Sequence, residues 1–274
     1  MKLTINHLTH YQYDEQVKFS TQYLRLTPQT SARQQIKEWK LVLPASAVAT
    51  TDAFGNVMHV LTLDSPHQEI VIHAQGVVEI ADTIEEEVED TGAQLSPLVF
   101  LRTTPLTDAD ELIRGFARRY YREEDPCASL ETLMAELLLK MPYTPGATQV
   151  HDSAAGAFAK GKGVCQDHTH VFLACCRSLQ IPARYVSGYV YSRDTEHVAM
   201  HAWAEAWLNN RWYSFDITNN TRHLNQHLRL AVGMDYLDAC PVRGSRFGGG
   251  IEEMFSAAEV SLFERKHQIQ QQQQ

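Results

Sequence analysis

The chain has 274 residues, 44% hydrophobic and 21% charged, an ordinary globular composition with room for one large domain or two smaller ones. Its net charge of −9 gives no general attraction for nucleic acid or an anionic membrane. The opening residues are not an unbroken apolar stretch, and nothing approaches the roughly 18 apolar residues of a membrane helix, so a cytoplasmic protein is expected.

Residues 1 to about 80 read as β. Trp39, Leu41 and Leu43 alternate with more polar neighbours, as do Val57, His59, Leu61 and Leu63, and residues 69–80 form another β-rich run. Asp-Ala-Phe-Gly-Asn at 52–56 supplies turn chemistry between two of these runs. Residues 83–97 crowd acidic side chains and then Gly, Ser and Pro, the pattern of a solvated linker.

Helices follow. The stretch 107–110 resembles a capping box, and Leu112, Ile113, Phe116, Ala117 and Tyr120 fall on one helical face. Leu130, Leu133, Met134, Leu137, Leu138 and Met141 make a second stripe, stopped by Pro142. A third helix starts near Gly163-Val164-Cys165 and ends at Ile181-Pro182. Strands are expected at 183–191, 201–208 and 211–217, with a final one near 251–263. The Gly248-Gly249-Gly250 run lacks the strand–loop–helix setting and the lysine of a phosphate loop. The terminal glutamines read as a disordered tail.

Five cysteines without a repeated spacing argue against a disulfide framework. Four of them, Cys127, Cys175, Cys176 and Cys240, read as packing residues. Cys165 differs. Glycines at 161 and 163 let the chain turn sharply into a helix, and a cysteine in the first turn feels the positive end of the macrodipole, which favours a thiolate.

A nucleophilic thiol needs an imidazole, and the imidazole needs an orienting group. Asn209-Asn210 suits a two-residue hairpin loop between 201–208 and 211–217. Leu208 then faces Arg211 and His201 faces Thr218. Asp216 falls on the same side of the sheet as His201, a diagonal neighbour at roughly 7–8 Å. The opposite face carries Ala202, Ala204, Ala206 and Leu208 against Tyr213, Phe215 and Ile217, and is fit for burial. A structural role for His201 and Asp216 at strand ends is the plain alternative. The candidate metal sets are Cys165 with His168 and His170, and His197 with His201. Neither completes a tetrahedral set, so no metal and no cofactor are expected.

Four motifs now stand in order. They are Gly-Lys-Gly-Val-Cys-Gln-Asp-His at 161–168, Ile-Pro-Ala-Arg-Tyr-Val-Ser-Gly-Tyr at 181–189, His-Ala-Trp-Ala-Glu-Ala-Trp at 201–207, and Phe-Asp-Ile-Thr-Asn at 215–219. Together they resemble the core of bacterial transglutaminase-like cysteine proteases. Residues 23–28, 52–56 and 66–67 resemble the β-domain ahead of that core, and 231–236 with 241–244 its C-terminal segment. One departure is Ile217, where the family usually has proline after the aspartate.

The resemblance implies an α+β fold. Helices would pack on an antiparallel sheet in a papain/transglutaminase-like core at 96–266, preceded by a small all-β domain at 1–95 and followed by a tail at 267–274. It implies a peptidase or amidase working through Cys165, His201 and Asp216 and an acyl-enzyme, on a peptide or amide substrate. Transfer to an amine and a catalytically idle binding module are the alternatives. The Cys165 backbone N–H would be one oxyanion donor. Tyr143 or Gln149 would supply a second, and Gln166 and Trp203 are further candidates beside the substrate. Oligomeric state is left open.

Overall fold

The structure is a computed structural model that describes residues 1–81, 87–88, 95–192 and 200–263. His197, most of the expected acidic linker and the expected tail lie outside the described residues.

The first sheet is built on one long strand, β1 (Lys2–Leu24), followed by β2 (Gln34–Val42), β3 (Ala47–Thr51), β4 (Val57–Leu63) and β5 (His67–Ile80). Leu3, Ile5, His7, Thr9, Tyr11 and Tyr13 are buried on alternate positions of β1, so one face of the sheet is core. The register of β1 with β5 shifts between Gln12 and Val17. There β1 bends, and its second half pairs with β4 instead of continuing along β5.

The helical layer comprises α1 (Glu111–Tyr120), α2 (Pro126–Lys140), α3 (Ala154–Lys160) and α4 (Cys165–Ser178). Asp110, and not Thr107, caps α1 by accepting from Ile113 N. Ile113 and Ala117 are buried, whereas Leu112 is 64% exposed, so the core face of α1 is narrower than the periodicity predicts. The short α3 escaped prediction because its seven residues, Ala-Ala-Gly-Ala-Phe-Ala-Lys, carry too little apolar periodicity.

The second sheet has the order β10-β7-β8-β9-β6, from β6 (Glu87–Val88), β7 (Ala183–Val190), β8 (Met200–Leu208), β9 (Arg211–Phe215) and β10 (His227–Gly233). The hairpin register is as expected: Leu208 pairs with Arg211 and Ala204 with Phe215. Asn209 and Asn210 both take positive φ, 50° and 64°, as a two-residue hairpin loop of that twist requires. Ala202, Ala204 and Ala206 are buried in one core with Val171, Phe172 and Cys175 of α4. Small side chains on that face let the helix axis approach the sheet closely. At the far end of β7 and on β10 the second sheet gives Tyr189, Leu228 and Leu230 to the core of the first sheet.

After β10 come a one-turn helix, α5 (Tyr236–Ala239), and two strands, β11 (Val242–Gly248) and β12 (Glu252–Leu262). Both pair with β1. The β-domain is thus closed by both ends of the chain, whereas the sequence placed the C-terminal segment with the core. The Gly248-Gly249-Gly250 run is explained by its backbone, with φ of 84°, 96° and 57° in the turn between these strands. No helix among the described residues is long and apolar enough to cross a membrane.

Candidate active site

Cys165 is the first residue of α4, so its N–H has no carbonyl one turn back in the helix. The approach to it is set by Asp167, whose Oδ2 accepts from Val164 N at 2.8 Å and from Thr148 Oγ1 at 2.6 Å. A Cβ on Gly163 would stand 2.7 Å from the Asp167 side chain, so only glycine lets that carboxylate fold back over the helix start. All five cysteines are free thiols; Cys175, Cys176 and Cys240 are buried and Cys165 is partly exposed.

The Cys165 side chain lies beside His201 and helps to raise its imidazole. His201 Nε2–H donates to Asp216 Oδ2 at 2.8 Å, which leaves Nδ1 as the nitrogen facing the thiol. The Asp216 turn is closed without proline. Asp216 N donates to Thr221 O at 2.8 Å, Thr221 N returns to Asp216 O at 3.0 Å, and Ile217 is buried in the core. His168, one turn along α4, donates from Nε2 to Met141 O at 2.8 Å and accepts at Nδ1 from Thr218 Oγ1 at 2.9 Å. It therefore ties the cysteine helix to the aspartate turn. His170 lies elsewhere, accepting from Tyr236 N at 3.1 Å, so the set Cys165, His168 and His170 does not assemble.

Two groups at Asp216 escaped the sequence reading. His227 Nε2–H donates to the same Oδ2 at 2.7 Å, and Asn219 donates there from Nδ2 at 2.7 Å and to Oδ1 from its backbone N at 3.1 Å. His227 sits on β10, a strand that was not predicted although Leu228, Leu230 and Val232 alternate as a strand should. His201, Asp216 and His227 bring one ligand atom each within 4.8 Å. Separations of 2.7 and 2.8 Å on one shared oxygen are, however, those of hydrogen bonds.

Burial opposes charge on His201. The Asp216 carboxylate, the bond it accepts and the contact with Cys165 outweigh burial and push the imidazole up to about 10. Burial likewise opposes ionisation of Asp216, but His201 and His227 hold its carboxyl well below the usual range. Burial depresses His227 and His168 despite their partners. A charged His201 therefore faces an ionised Asp216, with neutral imidazoles beside it.

Tyr143 runs beside the cysteine loop, bridged to Gly163, and is half exposed. Burial and the nearby Cys165 both raise its phenol. Gln149 is exposed, with its backbone N donating to Asp152 Oδ2 at 2.8 Å. The Gln166 amide is engaged by Val150 O at 2.8 Å. Trp203 is 1% exposed and stacks on His201 at 6.2 Å between ring centroids. It supports the imidazole from within the fold instead of lining the exposed side of Cys165.

The buried imidazoles fix an expected pH dependence of stability. His7 and His170 are pulled down from 6.5 to about 4 chiefly by burial, and His168 and His227 move the same way. A histidine held neutral by burial costs stability as pH falls below 6.5, because only the unfolded chain takes the proton. The slope is about 1.4 kcal/mol per pH unit for each such group. His201 does the reverse: its contribution is whole below 6.5 and is lost as pH rises towards about 10. Thermal unfolding should therefore show maximal stability near neutrality and a falling midpoint from pH 6.5 towards pH 4. A flat midpoint between pH 7 and pH 5 would contradict it.

Residues 3–79 match the model of the bacterial transglutaminase-like N-terminal region, and residues 114–217 match that of the transglutaminase-like superfamily. The uncharacterized protein ML0607 of Mycobacterium leprae is 29% identical over 276 residues, covering 95% of this chain and 98% of that protein. The uncharacterized protein Rv2569c of Mycobacterium tuberculosis is 25% identical over 270 residues, covering 88% and 86%. A solved structure from Cytophaga hutchinsonii, provisionally named a cysteine protease, aligns with a TM-score of 0.79 at 21% identity, covering 97% of this chain and 92% of that one. At that identity it speaks for the fold. Residues 114–217 are thus a transglutaminase-like superfamily core, and residues 3–79 ahead of it a bacterial transglutaminase-like N-terminal region.

Proposed function

We propose that the chain is an intracellular cysteine-nucleophile amide hydrolase, a peptidase or amidase, with Cys165 as nucleophile, His201 as general acid and base, and Asp216 as the orienting carboxylate. The observation that carries this reading is His201 hydrogen-bonded to Asp216 and adjacent to Cys165, with the cysteine at a helix start. In the ion-pair form the Cys165 thiolate attacks the carbonyl carbon of an amide. His201 Nδ1–H protonates the leaving nitrogen, and a thioester remains on Cys165. His201, now neutral, takes a proton from water, the hydroxide attacks the thioester, and the acid and the thiolate leave. The Cys165 N–H at the helix start serves the oxyanion, with the Tyr143 hydroxyl or the Gln149 amide as second donor.

The test is iodoacetamide labelling of the whole protein across pH, with the labelled residue identified by mass spectrometry. An ordinary thiol of pKa about 8.5 is roughly 1% thiolate at pH 6.5. Burial pushes the Cys240 thiol up to about 11 and raises Cys175 and Cys176 as well, so those three should stay silent. Cys165 should label at least about tenfold faster than Cys127 at that pH, and His201→Ala should remove the advantage. Equal labelling of Cys165 in both proteins, at the pace of an ordinary thiol, would put the binding-module reading ahead.

A further inference from the structure

Asp216 is held from two directions, and only one of them belongs to the superfamily core's own hairpin. The other is β10, which lies at the edge of the second sheet. An edge strand leaves alternate N–H and C=O groups without a strand partner. Here two side-chain amides of the first sheet's polypeptide fill that role. Gln34 donates from Nε2 to Arg229 O and accepts at Oε1 from Arg229 N, both at 2.9 Å. Asn56 donates from Nδ2 to Val232 O at 2.7 Å and accepts at Oδ1 from Val232 N at 2.8 Å. Gln34 and Asn56 are themselves buried, 4% exposed each. Asn56 is fixed by Asp52, which accepts from its backbone N and its Nδ2 at 3.0 Å and from Arg25 Nε at 2.7 Å. The turn motif at 52–56 is therefore a clamp on the strand that carries His227.

His227 has a matching environment. Its Nε2–H is committed to Asp216, and its Nδ1 faces inward, buried and with no hydrogen-bond partner among the described residues. The same holds for Trp203 Nε1 and Ser214 Oγ, and all three residues line one small cavity of about 30 Å³ with Arg33, Glu205 and Arg229.

We infer that His227 is a positioning residue for Asp216, and that the N-terminal β-domain sets its place by clamping β10 through Gln34 and Asn56. The inference rests on the proposed roles of Cys165, His201 and Asp216. Two imidazoles then share one carboxylate oxygen: charged His201 works towards the thiol, and neutral His227 fixes the carboxylate and keeps it ionised. The charged or titratable groups around His227 are Asp216, His201 and Glu205, with Arg33 and Arg229 at the cavity. Of these only Asp216 is hydrogen-bonded to it in the structure described.

The experiment is the pH profile of Cys165 labelling by iodoacetamide in the full-length chain, for wild type, His201→Ala, His227→Leu, His227→Gln and Asn56→Ala. Losing one donor makes Asp216 easier to protonate, so His227→Leu should slow labelling by about tenfold and move the acid limb to higher pH. Gln carries an N–H at a similar reach and should restore both to within about threefold. Asn56→Ala, which touches no reacting group, should move the acid limb the same way by a smaller amount. A merely structural role would lower thermal stability without moving that limb. If His201→Ala loses fast labelling as expected but His227→Leu and Asn56→Ala keep the wild-type limb, positioning by His227 is overturned while the nucleophile reading stands. Gln as impaired as Leu would overturn it too. If His201→Ala labels like wild type, the underlying reading fails and this inference with it. Should His227→Leu not fold, the limbs of His227→Gln and Asn56→Ala decide alone.

Discussion

Asp216→Ala should cost this protein both its fold stability and its reactive thiol. Four donors converge on the carboxylate: His201, His227 and the Asn219 amide on Oδ2, and the Asn219 backbone on Oδ1. The residue is fully buried, so removing it strands two imidazole N–H groups and a cation away from water. Breaking a buried, hydrogen-bonded charge pair from one side costs about 3–5 kcal/mol. The chemical loss follows from the same contacts. Burial alone would depress His201, and it is Asp216 that outweighs it. Without the carboxylate, His201 loses its main source of positive charge, the proposed nucleophile loses that cationic partner, and the ring is free to turn. Turnover of an amide substrate should drop on the order of 10⁴-fold, the scale seen when an orienting aspartate is removed from an acyl-transfer triad. Asp216→Asn should recover little, because its NH₂ group would meet donors where the carboxylate offers acceptors. Thermal unfolding together with Cys165 labelling at pH 6.5 checks both halves. A variant with wild-type midpoint and labelling rate would remove Asp216 from the site.

How much of this was legible in the sequence depends on whether a contact is local or long-range. The Cys165 turn was legible because glycine, cysteine and helix start are adjacent. The His201 to Asp216 pairing was legible because a two-residue asparagine loop fixes register, and register fixes which side chains share a face. His227 was not. It reaches Asp216 through a strand that pairs with β7, far from the hairpin in connectivity, so no spacing rule links the two. The clamp residues were hidden for a different reason. Asn56 looks like any turn asparagine and Gln34 like any polar strand residue; their partners lie 176 and 195 residues away. The placement of β11 and β12 failed likewise, since only the pairing with β1 reveals to which sheet they belong.

Arg177 was passed over in the sequence for the same reason, and the structure gives it a large expected effect on stability. It sits near the end of α4, 2% exposed, and among the described residues no acidic side chain accepts a hydrogen bond from it. Nε donates to Phe100 O at 3.1 Å and Ala183 O at 3.3 Å, and Nη2 to Ala183 O at 2.8 Å and Met234 O at 2.6 Å. Nη1 donates to Thr107 Oγ1. One guanidinium thus joins the entry to the helical layer, the start of β7 and the turn after β10. The planar fork matters: a lysine ammonium has one centre and cannot span acceptors on three segments. Burial lowers the guanidinium to about 10, still charged at neutral pH. Arg177→Ala leaves three carbonyls and a hydroxyl buried beside a void, at a cost of about 3–5 kcal/mol. For a chain of this size that lowers the unfolding midpoint by roughly 10 °C. Arg177→Lys should recover less than half of the loss. Cys165 lies twelve residues back along the helix, about 18 Å away. Below the unfolding transition, its labelling rate in Arg177→Ala should therefore stay within about twofold of wild type, since no contact of the guanidinium reaches the site. A midpoint within a degree or two of wild type would show that the acceptors find other donors. A lost labelling rate at low temperature would instead show that α4 transmits the damage to its N-terminus.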